Sequence, residues 1–351
     1  MSTSAMFPGA RTSEDRSARD VLAWSRDLVE PVLRSAVDSL PASMRRIAGY
    51  HFGWWDVDGA PDHGDGGKAL RPALVLLAAE AAGGSSADAI PAAVAVELVH
   101  NFSLLHDDVM DGDATRRHRP TAWSVYGVGP AILAGDALVT LAFDVLAASG
   151  HPVSQQAMRM LSTAVLDLVD GQSADMGFED RVDVGIGECV SMADAKTGAL
   201  LGCACAIGAA FAGASPDKVA RLRNFGTRLG LAFQHVDDLL GIWGEPEVTG
   251  KPVYSDLNNR KKSLPVVAAL TSGTQAGREL AGLYHRVEPL GAAELARAAE
   301  LIDLAGGRVW SQGQADELLK GAMAELAMVD PGPRPSLELG LLARLATRRD
   351  H

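Results

Sequence analysis

The chain of 351 residues has little of what marks a disulfide-rich, β-rich or nucleic-acid-binding protein. Its three cysteines are too few for a disulfide framework, and no Cys/His group with zinc-ligand spacing accompanies them. Aromatic residues make up 5% and runs of period-two alternation are missing, which disfavours a β-rich fold. Asp and Glu outnumber Lys and Arg by 44 to 32, and this acidic balance argues against a nucleic-acid partner.

The chain also lacks a segment typical of a signal peptide or a membrane span. Its first twenty residues contain no apolar core, which predicts a disordered tail over residues 1–20. The most apolar stretches, around residues 69–82 and 200–214, are too short or too rich in glycine to span a bilayer. Because the few thiols are best explained as buried groups in a reducing compartment, we expect a cytoplasmic protein that does not span a membrane.

Long segments rich in Ala, Leu and Val alternate with Gly/Pro/Asp clusters. Hydrophobic residues make up 47% and charged residues 22%, a globular composition. The segments between the clusters suit helices of about ten to twenty-five residues. We find no internal repeat and no linker, so the sequence predicts one all-α domain over residues 21–351.

One predicted helix, within residues 90–111, ends in an acidic stretch. One face is apolar, and the other carries His100, Asp107 and Asp111 at helical spacing rather than the Lys/Glu mixture of a solvated face. Together with Asp108, these carboxylates repel one another and lower helix stability. Mg²⁺ is the hard cation that proteins hold with a few carboxylates plus substrate phosphates. The stretch therefore predicts a magnesium site.

A second acidic pair, Asp237 and Asp238, lies on another predicted helix. Its apolar face leaves Gln234, Asp237 and Gly241 together on the other side. Two Asp-bearing helices can face each other across a bundle, where sites are built from inward-pointing side chains. One such pair alone is more often a surface feature, but two among apolar residues favour a site.

Small groups of cations stand near both acidic stretches. They are Lys68 and Arg71, Arg116 and Arg117, Lys196 beside Thr197, and Lys251, Lys261 and Lys262. Each group alone is ordinary, since most Lys and Arg side chains are surface charges. Arg offers forked donors to phosphate oxygens and Lys a point charge, so together they predict binding of two polyphosphates.

The ordered set of motifs resembles the trans-isoprenyl diphosphate synthases, the head-to-tail prenyl-chain elongating enzymes. The motifs are Gly-Lys-Ala-Leu-Arg-Pro from Gly66, the first acidic stretch continuing into Arg116-Arg117, Gly171-Gln172, Lys196-Thr197, Gln234 with Asp237-Asp238, and Gly250-Lys251-Pro252 to Lys261. The resemblance implies a helical bundle around a deep central cavity, usually a homodimer. It also implies Mg²⁺-dependent condensation of isopentenyl diphosphate with an allylic prenyl diphosphate through an allylic carbocation.

The resemblance further implies a role for each motif residue. Asp107, Asp111 and Asp237 would ligate Mg²⁺, with Asp108 and Asp238 acting through waters or orienting the ligands. The allylic diphosphate would be bound by Arg116, Lys196, Gln234, Lys251 and Lys261. Isopentenyl diphosphate would be bound by Lys68, Arg71, His100 and Arg117. Gln172 and Thr197 would steady the developing cation, and Asp136 and Asp175 would support the site.

The chain departs from the family pattern at five positions. Gly241 stands where the third Asp of the second motif is usual, which predicts weakened metal binding. His118, Tyr254 and Arg260 stand where the family favours other residues, Gly in each case, and Trp123 where His is common. The last four cluster around the mouth of the diphosphate site, so they bear on allylic selectivity or lid movement.

Product length depends on one residue. Phe102 lies five residues before Asp107, about 7.5 Å along a helix. A bulky side chain there could floor the cavity, and an aromatic at this place resembles short-chain synthases. The sequence favours geranylgeranyl diphosphate as product, with farnesyl diphosphate close behind; the alternative is that Phe102 is only a core residue.

Two other functions stay open. A class I terpene cyclase on the same fold would also ionise a prenyl diphosphate but needs no isopentenyl site, and Gly241 is the one feature that favours it. Lys68, Arg71, His100 and Arg117 favour condensation instead. A non-catalytic regulatory subunit would be expected to lose one or both acidic motifs, whereas here the first is complete.

Overall fold

The computed structural model describes residues 16–62, 64, 67, 69–179, 181–245, 253–286 and 288–347. Within these ranges the chain is built from helices, and the sheet found there is a single hairpin of two short strands. The predicted all-α fold class is confirmed.

The helices follow one another from α1 to α16. They are α1 (Ala18–Asp38), α2 (Ala42–His51), α3 (Leu70–Ala81), α4 (Ile90–Met110), α5 (Ala122–Tyr126), α6 (Val128–Ala148), α7 (Ser154–Glu179), α8 (Ile186–Ala193), α9 (Ala199–Phe211), α10 (Pro216–Trp243), α11 (Ser255–Asn258), α12 (Leu264–Leu270), α13 (Gln275–Tyr284), α14 (Ala292–Leu304), α15 (Gly307–Val329) and α16 (Pro333–Thr347). The antiparallel strands β1 (Thr115–Arg116) and β2 (Arg119–Pro120) join α4 to α5. A π-helical turn (Asp194–Gly198) joins α8 to α9.

The first helix begins inside the segment predicted to be a disordered tail. The Ser17 hydroxyl accepts a hydrogen bond from the Asp20 N–H, and the Asp20 carboxylate accepts one from the Ser17 N–H at 2.9 Å. This capping box satisfies two N–H groups that a helix start leaves without partners. The boundary predicted at residue 20 is therefore wrong, since α1 starts at Ala18. Residues 1–15 lie outside the described residues.

The centre of the bundle consists of helices that are apolar around most of their circumference. Residues 72–79 of α3, 92–99 of α4 and 200–211 of α9 are buried without interruption. A helix that is hydrophobic all round belongs in a core. The core therefore fixes α4 along most of its length, and the acidic stretch at its end starts from a rigid support.

Among the residues that the structure describes, two helical segments are long and apolar enough to cross a membrane by length and composition alone, α6 and the run Ile186–Phe211. The segment of α6 was not among the stretches that the sequence predicted to be the most apolar, so that prediction was incomplete. In the fold, 67% of the most apolar 18 residues of the second segment are buried, which is the environment of a core helix. Only 39% of the most apolar 18 residues of α6 are buried, and the outer face of this helix exposes Val128 and Leu133.

The three cysteines (Cys189, Cys203 and Cys205) are free and buried, as predicted. Burial raises the pKa of each thiol, so all three stay protonated and unreactive at neutral pH.

Candidate active site

The first acidic stretch stands at the C-terminal end of α4. A helix C-terminus carries the negative end of the macrodipole, so carboxylates there are unfavourable without a counter-charge. Asp107 is half-buried and Asp111 is exposed. Burial, with the charges of Asp111 and Asp175, raises the pKa of Asp107, although Lys196 and Arg116 act in the opposite direction. The fold thus tolerates an electrostatic cost at this place.

Asp108, on the neighbouring face of α4, is buried and holds Arg116. The Arg116 Nε donates to Asp108 Oδ1 at 2.7 Å. Burial nevertheless raises the pKa of Asp108 to about 6, and its Oδ2 is buried with no partner among the described residues. Asp108 therefore orients Arg116, the predicted phosphate-binding arginine, through this hydrogen bond.

The β1–β2 hairpin folds back after the acidic stretch and carries the second arginine. Arg117 and His118 form its turn with φ of 51° and 62°, in the left-handed region that favours glycine. A Cβ placed on Gly67 would lie 2.4 Å from an Arg117 guanidinium nitrogen, so this arginine reaches the segment that precedes α3. Lys68, the predicted neighbour of Gly67, lies outside the described residues.

Arg71 and His100 form the centre of a cationic region. The Arg71 Nη1 lies 3.1 Å from His100 Nε2. Because an arginine can only donate, Nε2 accepts and the imidazole proton resides on Nδ1. Burial and the nearby Arg71 and Arg117 charges lower the pKa of His100 well below its ordinary value. His100 is therefore a neutral hydrogen-bond donor beside two guanidinium groups.

A row of buried polar side chains on α4 supports this cationic region. The Asn101 amide donates to the Glu97 carboxylate at 3.1 Å. Burial raises the pKa of Glu97, and the charge of Arg71 is the largest influence that lowers it. His51, from α2, is close to the same charges, and burial with Arg117 and Arg116 lowers its pKa to about 3. Buried atoms without partners in the described chain include Glu97 Oε2, Arg71 Nε and His51 Nε2.

Lys196 and Thr197 reach the site from the π-helical turn. Lys196 Nζ donates to Asp175 Oδ2 at 2.6 Å, and Thr197 Oγ1 donates to Gln234 Oε1 at 2.6 Å. A Cβ on Gly171 would lie 2.4 Å from the Lys196 backbone nitrogen, so only glycine lets α7 pass this close to the turn. π-Turns interrupt regular helices mostly at functional sites. This one connects α7 with α10 through two adjacent side chains.

The second acidic pair divides into an exposed and a buried carboxylate. Asp237 is exposed, whereas Asp238 accepts hydrogen bonds from Gln234 Nε2 at 2.7 Å and from the Leu264 N–H at 2.8 Å. Burial raises the pKa of Asp238 to about 7. Burial alone would lower the pKa of Lys261. The negative charges of Asp256 and of the site carboxylates have the larger effect, so the pKa of Lys261 is raised.

Asp175 links the two acidic stretches, because its charge acts both on Asp107 and on Lys261. Gln172, one turn earlier on α7, is 5% exposed, and both polar atoms of its amide lack a partner among the described residues. Buried amides normally have hydrogen-bond partners, so this one marks a place for a ligand or water. The structure thus brings α4, α7, the π-turn and α10 to one site.

The carboxylates suit a divalent cation that a phosphate group helps to hold. Among the residues described, no three His, Cys, Asp or Glu side chains lie close enough to bind a metal ion alone. The predicted set of Asp107, Asp111 and Asp237 is therefore not a preformed three-residue site. Burial raises the pKa of Asp107, and Oδ2 of Asp108 has no partner among the described residues, so a cation bound to these carboxylates would stabilise their charged forms. Oxygen donors in this state fit Mg²⁺, which is usually bound by one or two carboxylates plus substrate phosphates.

The positions that depart from the family pattern have structural explanations. His118, Tyr254 and Arg260 all have positive φ, between 51° and 65°, which is why glycine suits these places. Trp123 donates from Nε1 to the Asp113 carbonyl at 2.8 Å and so fixes the loop after the first acidic stretch. Gly241 is packed against Asp256.

Other predicted positions have different outcomes. Lys262 is buried and donates to the Glu179 carbonyl at 2.9 Å, so it is a structural residue rather than a phosphate ligand. Asp136 lies 3.7 Å from His106 and is mostly exposed. Phe102 is 8% exposed and meets the His106 ring edge-on at 4.8 Å between centroids. Lys251 lies outside the described residues.

Three residues of the site were missed by sequence reasoning. His51 and Glu97 are distant in sequence from the cationic motifs, and only their burial beside Arg71 and Arg117 reveals them. Asp256 follows the second acidic pair by 18 positions and has no helical spacing to it. The one available signal was a single acidic residue in the sequence between two predicted lysine ligands, Lys251 and Lys261.

Comparisons with known proteins identify the family of this chain. The profile of the polyprenyl synthetase family matches residues 63–302. The chain is 47% identical to a (2E,6E)-farnesyl diphosphate synthase of Mycobacterium bovis, covering 95% of this chain and 94% of the relative. It is 49% identical to a geranylgeranyl diphosphate synthase of Mycobacterium tuberculosis, covering 91% of each.

The fold has solved counterparts. The crystal structure of a polyprenyl synthetase from Streptomyces coelicolor superposes with a TM-score of 0.89 at 48% identity, covering 93% of this chain and 99% of that one. The predicted isoprenoid-synthase fold and prenyltransferase class are confirmed, and the cyclase and regulatory-subunit alternatives are not favoured. The chain belongs to the polyprenyl synthetase family and is a short-chain trans-isoprenyl diphosphate synthase.

Proposed function

We propose that the protein condenses isopentenyl diphosphate with an allylic diphosphate, and that each substrate has its own binding region on α4. The observation that carries this is the separation of a cationic region around Arg71 and His100 from the acidic region around Asp107 and Asp175. A cyclase needs only the second region. Two regions on one helix fit an enzyme that must hold two diphosphates.

The cationic region binds isopentenyl diphosphate directly. Arg71 and Arg117 supply forked donors, and the Nδ1–H of neutral His100 supplies another. Glu97 balances Arg71 from behind, which keeps the guanidinium in place without closing the site. Holding this diphosphate fixes the double bond of the substrate against the allylic carbon, which is the orientational contribution to the rate.

The acidic region binds the allylic diphosphate together with Mg²⁺, through Asp107, Asp111 and Asp237. When bound, Mg²⁺ offsets the negative charge of the departing diphosphate. Lys196 and Arg116 face the same leaving group, and each is oriented by a carboxylate, Asp175 or Asp108.

The reaction passes through an allylic carbocation, which water would quench. The Gln172 amide and Thr197 hydroxyl are buried, so they can steady this cation away from bulk water. After the new carbon–carbon bond forms, a proton must leave, and the released diphosphate serves as base. No side chain of the site is needed for that step.

The product is geranylgeranyl diphosphate, or farnesyl diphosphate. Phe102 supports a short product, because it stands buried one and a half turns below Asp107. Phe102→Ala is expected to lengthen the longest product by at least one five-carbon unit, measured by chromatography of the dephosphorylated alcohols. An unchanged product from a folded variant would make Phe102 a core residue only.

The test of the proposed function is a product assay with purified protein, Mg²⁺ and isopentenyl diphosphate. Dimethylallyl, geranyl and farnesyl diphosphate are offered separately, and prenyl alcohols and volatile hydrocarbons are identified. Longer alcohols that require isopentenyl diphosphate support the proposal. Cyclic hydrocarbons formed without isopentenyl diphosphate would contradict it.

Two further parts of the proposal concern the state of the protein. A homodimer is supported by apolar side chains exposed on neighbouring helices, Val128 and Leu133 on α6 and Leu166 and Val169 on α7. Light scattering of the purified protein should give twice the chain mass. A cytoplasmic location is supported by the three free, buried thiols, and cell fractionation tests it.

A further inference from the structure

One side chain of the first helix reaches the segment that precedes α3. The guanidinium of Arg26, on α1, donates from Nη2 to the Gly67 carbonyl oxygen at 2.8 Å. The two residues are 41 positions apart in the chain, so this bond joins separate elements of the fold. Helix α1 also lies outside residues 63–302, the part of the chain that the family profile matches. Arg26 is therefore not one of the motif residues discussed above.

Gly67, which accepts this hydrogen bond, supports Arg117. Its φ of 90° lies in the left-handed region that favours glycine. A Cβ at this position would lie 2.4 Å from Nη2, 2.7 Å from Cζ and 3.0 Å from Nη1 of Arg117, so the guanidinium packs directly against the Cα of Gly67. Because glycine has no side chain to anchor it, the hydrogen bonds of its backbone decide where this surface lies.

The charge of Arg26 also acts on the cationic region. Burial raises the pKa of Glu97, and the charge of Arg26 is one of those that lower it. The charge of Arg117 adds to burial in lowering the pKa of Arg71 and of His100. Arg26 is thus close to the group of residues proposed to bind isopentenyl diphosphate, although its own side chain is exposed.

The segment before α3 is held at its other end by the β1–β2 hairpin. Arg119, on β2, donates to the Trp55 carbonyl at 3.2 Å and pairs with the Asp62 carboxylate at 3.2 Å. These contacts fix the beginning of the segment relative to the hairpin. The bond from Arg26 acts at Gly67, close to the start of α3, so the end of the segment is held from α1.

We propose that Arg26 is a positioning residue for isopentenyl diphosphate, which holds the Gly67 backbone in place so that Gly67 supports the Arg117 guanidinium in the cationic region. This inference rests on the proposed function, in which Arg117 binds isopentenyl diphosphate. Loss of Arg26 should weaken binding of that substrate. The allylic diphosphate, which is assigned to the acidic region, should be nearly unaffected.

Five variants test the proposal. Arg26→Met keeps the apolar stem and removes both the charge and the donor, whereas Arg26→Lys keeps a charge and a donor. Gly67→Ala places a methyl group against Arg117, and Arg26→Met/Gly67→Ala combines the two changes. Arg19→Met is the matched control, because Arg19 is also exposed and lies seven residues earlier on the same face of α1.

Steady-state kinetics separate a positioning role from a general structural one. We expect Arg26→Met to raise the KM for isopentenyl diphosphate about 10-fold, the effect of losing one hydrogen bond from a charged group. The KM for the allylic diphosphate should stay within about twofold, since that site is independent of the bond. Arg26→Lys should fall between Arg26→Met and the wild type, and Arg19→Met should behave as the wild type.

A binding measurement makes the result independent of turnover. Inorganic pyrophosphate is titrated into each variant without Mg²⁺, and the Kd is measured by calorimetry. Arg26→Met and Gly67→Ala should each raise this Kd about 10-fold. The double variant should bind within about twofold of Gly67→Ala, because both changes act through the same guanidinium and their effects are therefore not additive.

Three results would overturn the proposal. They are losses that multiply in the double variant, equal rises of both KM values in Arg26→Met, and an Arg26→Met variant that matches the wild type. A wild type that never incorporates isopentenyl diphosphate would refute the proposed function instead, while the pyrophosphate titration would still test the role of Arg26.

Discussion

The cationic and acidic regions that we propose along α4 are built to hold a diphosphate by opposite means. In the cationic region the charges of Arg71 and Arg117 surround neutral His100, and the buried carboxylate of Glu97 balances Arg71. In the acidic region carboxylates predominate and a cation beside them is already paired, as Lys196 is with Asp175.

This difference shows how one helix can distinguish two anions. A diphosphate can enter the cationic region directly, because the protein already supplies the counter-charge. The carboxylates of the acidic region should repel a bare diphosphate, so the proposed binding there requires divalent cations that arrive with the substrate. The proposal places at these cations only the substrate whose diphosphate must leave.

The largest effect is expected in the acidic region. Asp107→Asn should lower kcat by about 10²–10³-fold, since it removes a group that acts where charge develops on the leaving diphosphate. Binding of isopentenyl diphosphate to the metal-free protein should not change. Steady-state kinetics and calorimetry check both statements, with the exposed Asp303→Asn as control. If Asp107→Asn weakened isopentenyl diphosphate binding as strongly as it lowered kcat, the proposed division between the two regions would be contradicted.

The matching change in the cationic region should alter binding rather than the chemical step. Arg71→Lys keeps the charge but loses the forked donors, so we expect the KM for isopentenyl diphosphate to rise about 10-fold. The KM for the allylic substrate should stay nearly constant. Arg297→Lys, in an exposed ion pair, is the control. A rise of the allylic KM alone would contradict the assignment.

The two regions should also give stability opposite dependences on pH. Burial raises the pKa of Asp238 to about 7, so the folded state binds a proton that the unfolded state has lost above about pH 4. Its contribution to stability is complete below about pH 4 and is lost as the pH rises through 7, by at most about 1.4 kcal/mol per pH unit. Burial lowers the pKa of His51 to about 3, and its contribution is lost as the pH falls below about 6.5.

Denaturant unfolding of the metal-free protein between pH 7.5 and pH 5 measures these contributions. As the pH falls, the difference in unfolding free energy between the wild type and Asp238→Asn should shift in favour of the wild type. The difference from His51→Gln should shift in favour of the variant. If the unfolding free energies of the wild type and a variant changed in parallel with pH, the pKa of Asp238 or of His51 would not be shifted as described.

The smallest effects are expected in the loops that follow the two acidic stretches. His118 is exposed with φ of 62°, so His118→Gly should raise the unfolding free energy by about 0.5–1 kcal/mol. Tyr254 has φ of 65° but packs against the cluster around Ile242 and Leu257, so Tyr254→Gly should gain less or lose stability. Thermal unfolding of both variants at one pH gives the comparison.

Much of the fold and many of the candidate site residues were predictable from the sequence, because their signals are local. Helical spacing alone predicted that His100, Asp107 and Asp111 share a face, and that Asp237 does so with Gln234. The motif order then predicted which helices come together. Helical spacing predicts which residues share one face of a helix, and for these residues that information was sufficient to group them in one site.

The remaining features depend on contacts between elements that are distant in sequence. Nothing local relates His51 or Glu97 to Arg71, and the π-turn that directs Lys196 and Thr197 leaves no pattern in a run of small residues. Gly241 packs against Asp256, which lies on a different helix, and helical spacing cannot predict that contact.

The most direct test of the division between the two regions is calorimetric binding to the wild-type protein with and without Mg²⁺. Isopentenyl diphosphate and a non-hydrolysable allylic thiodiphosphate are titrated separately. We predict that isopentenyl diphosphate binds with similar affinity in both conditions and that the allylic analogue binds only with Mg²⁺. An isopentenyl site that requires Mg²⁺, or an allylic site that does not, would contradict the account.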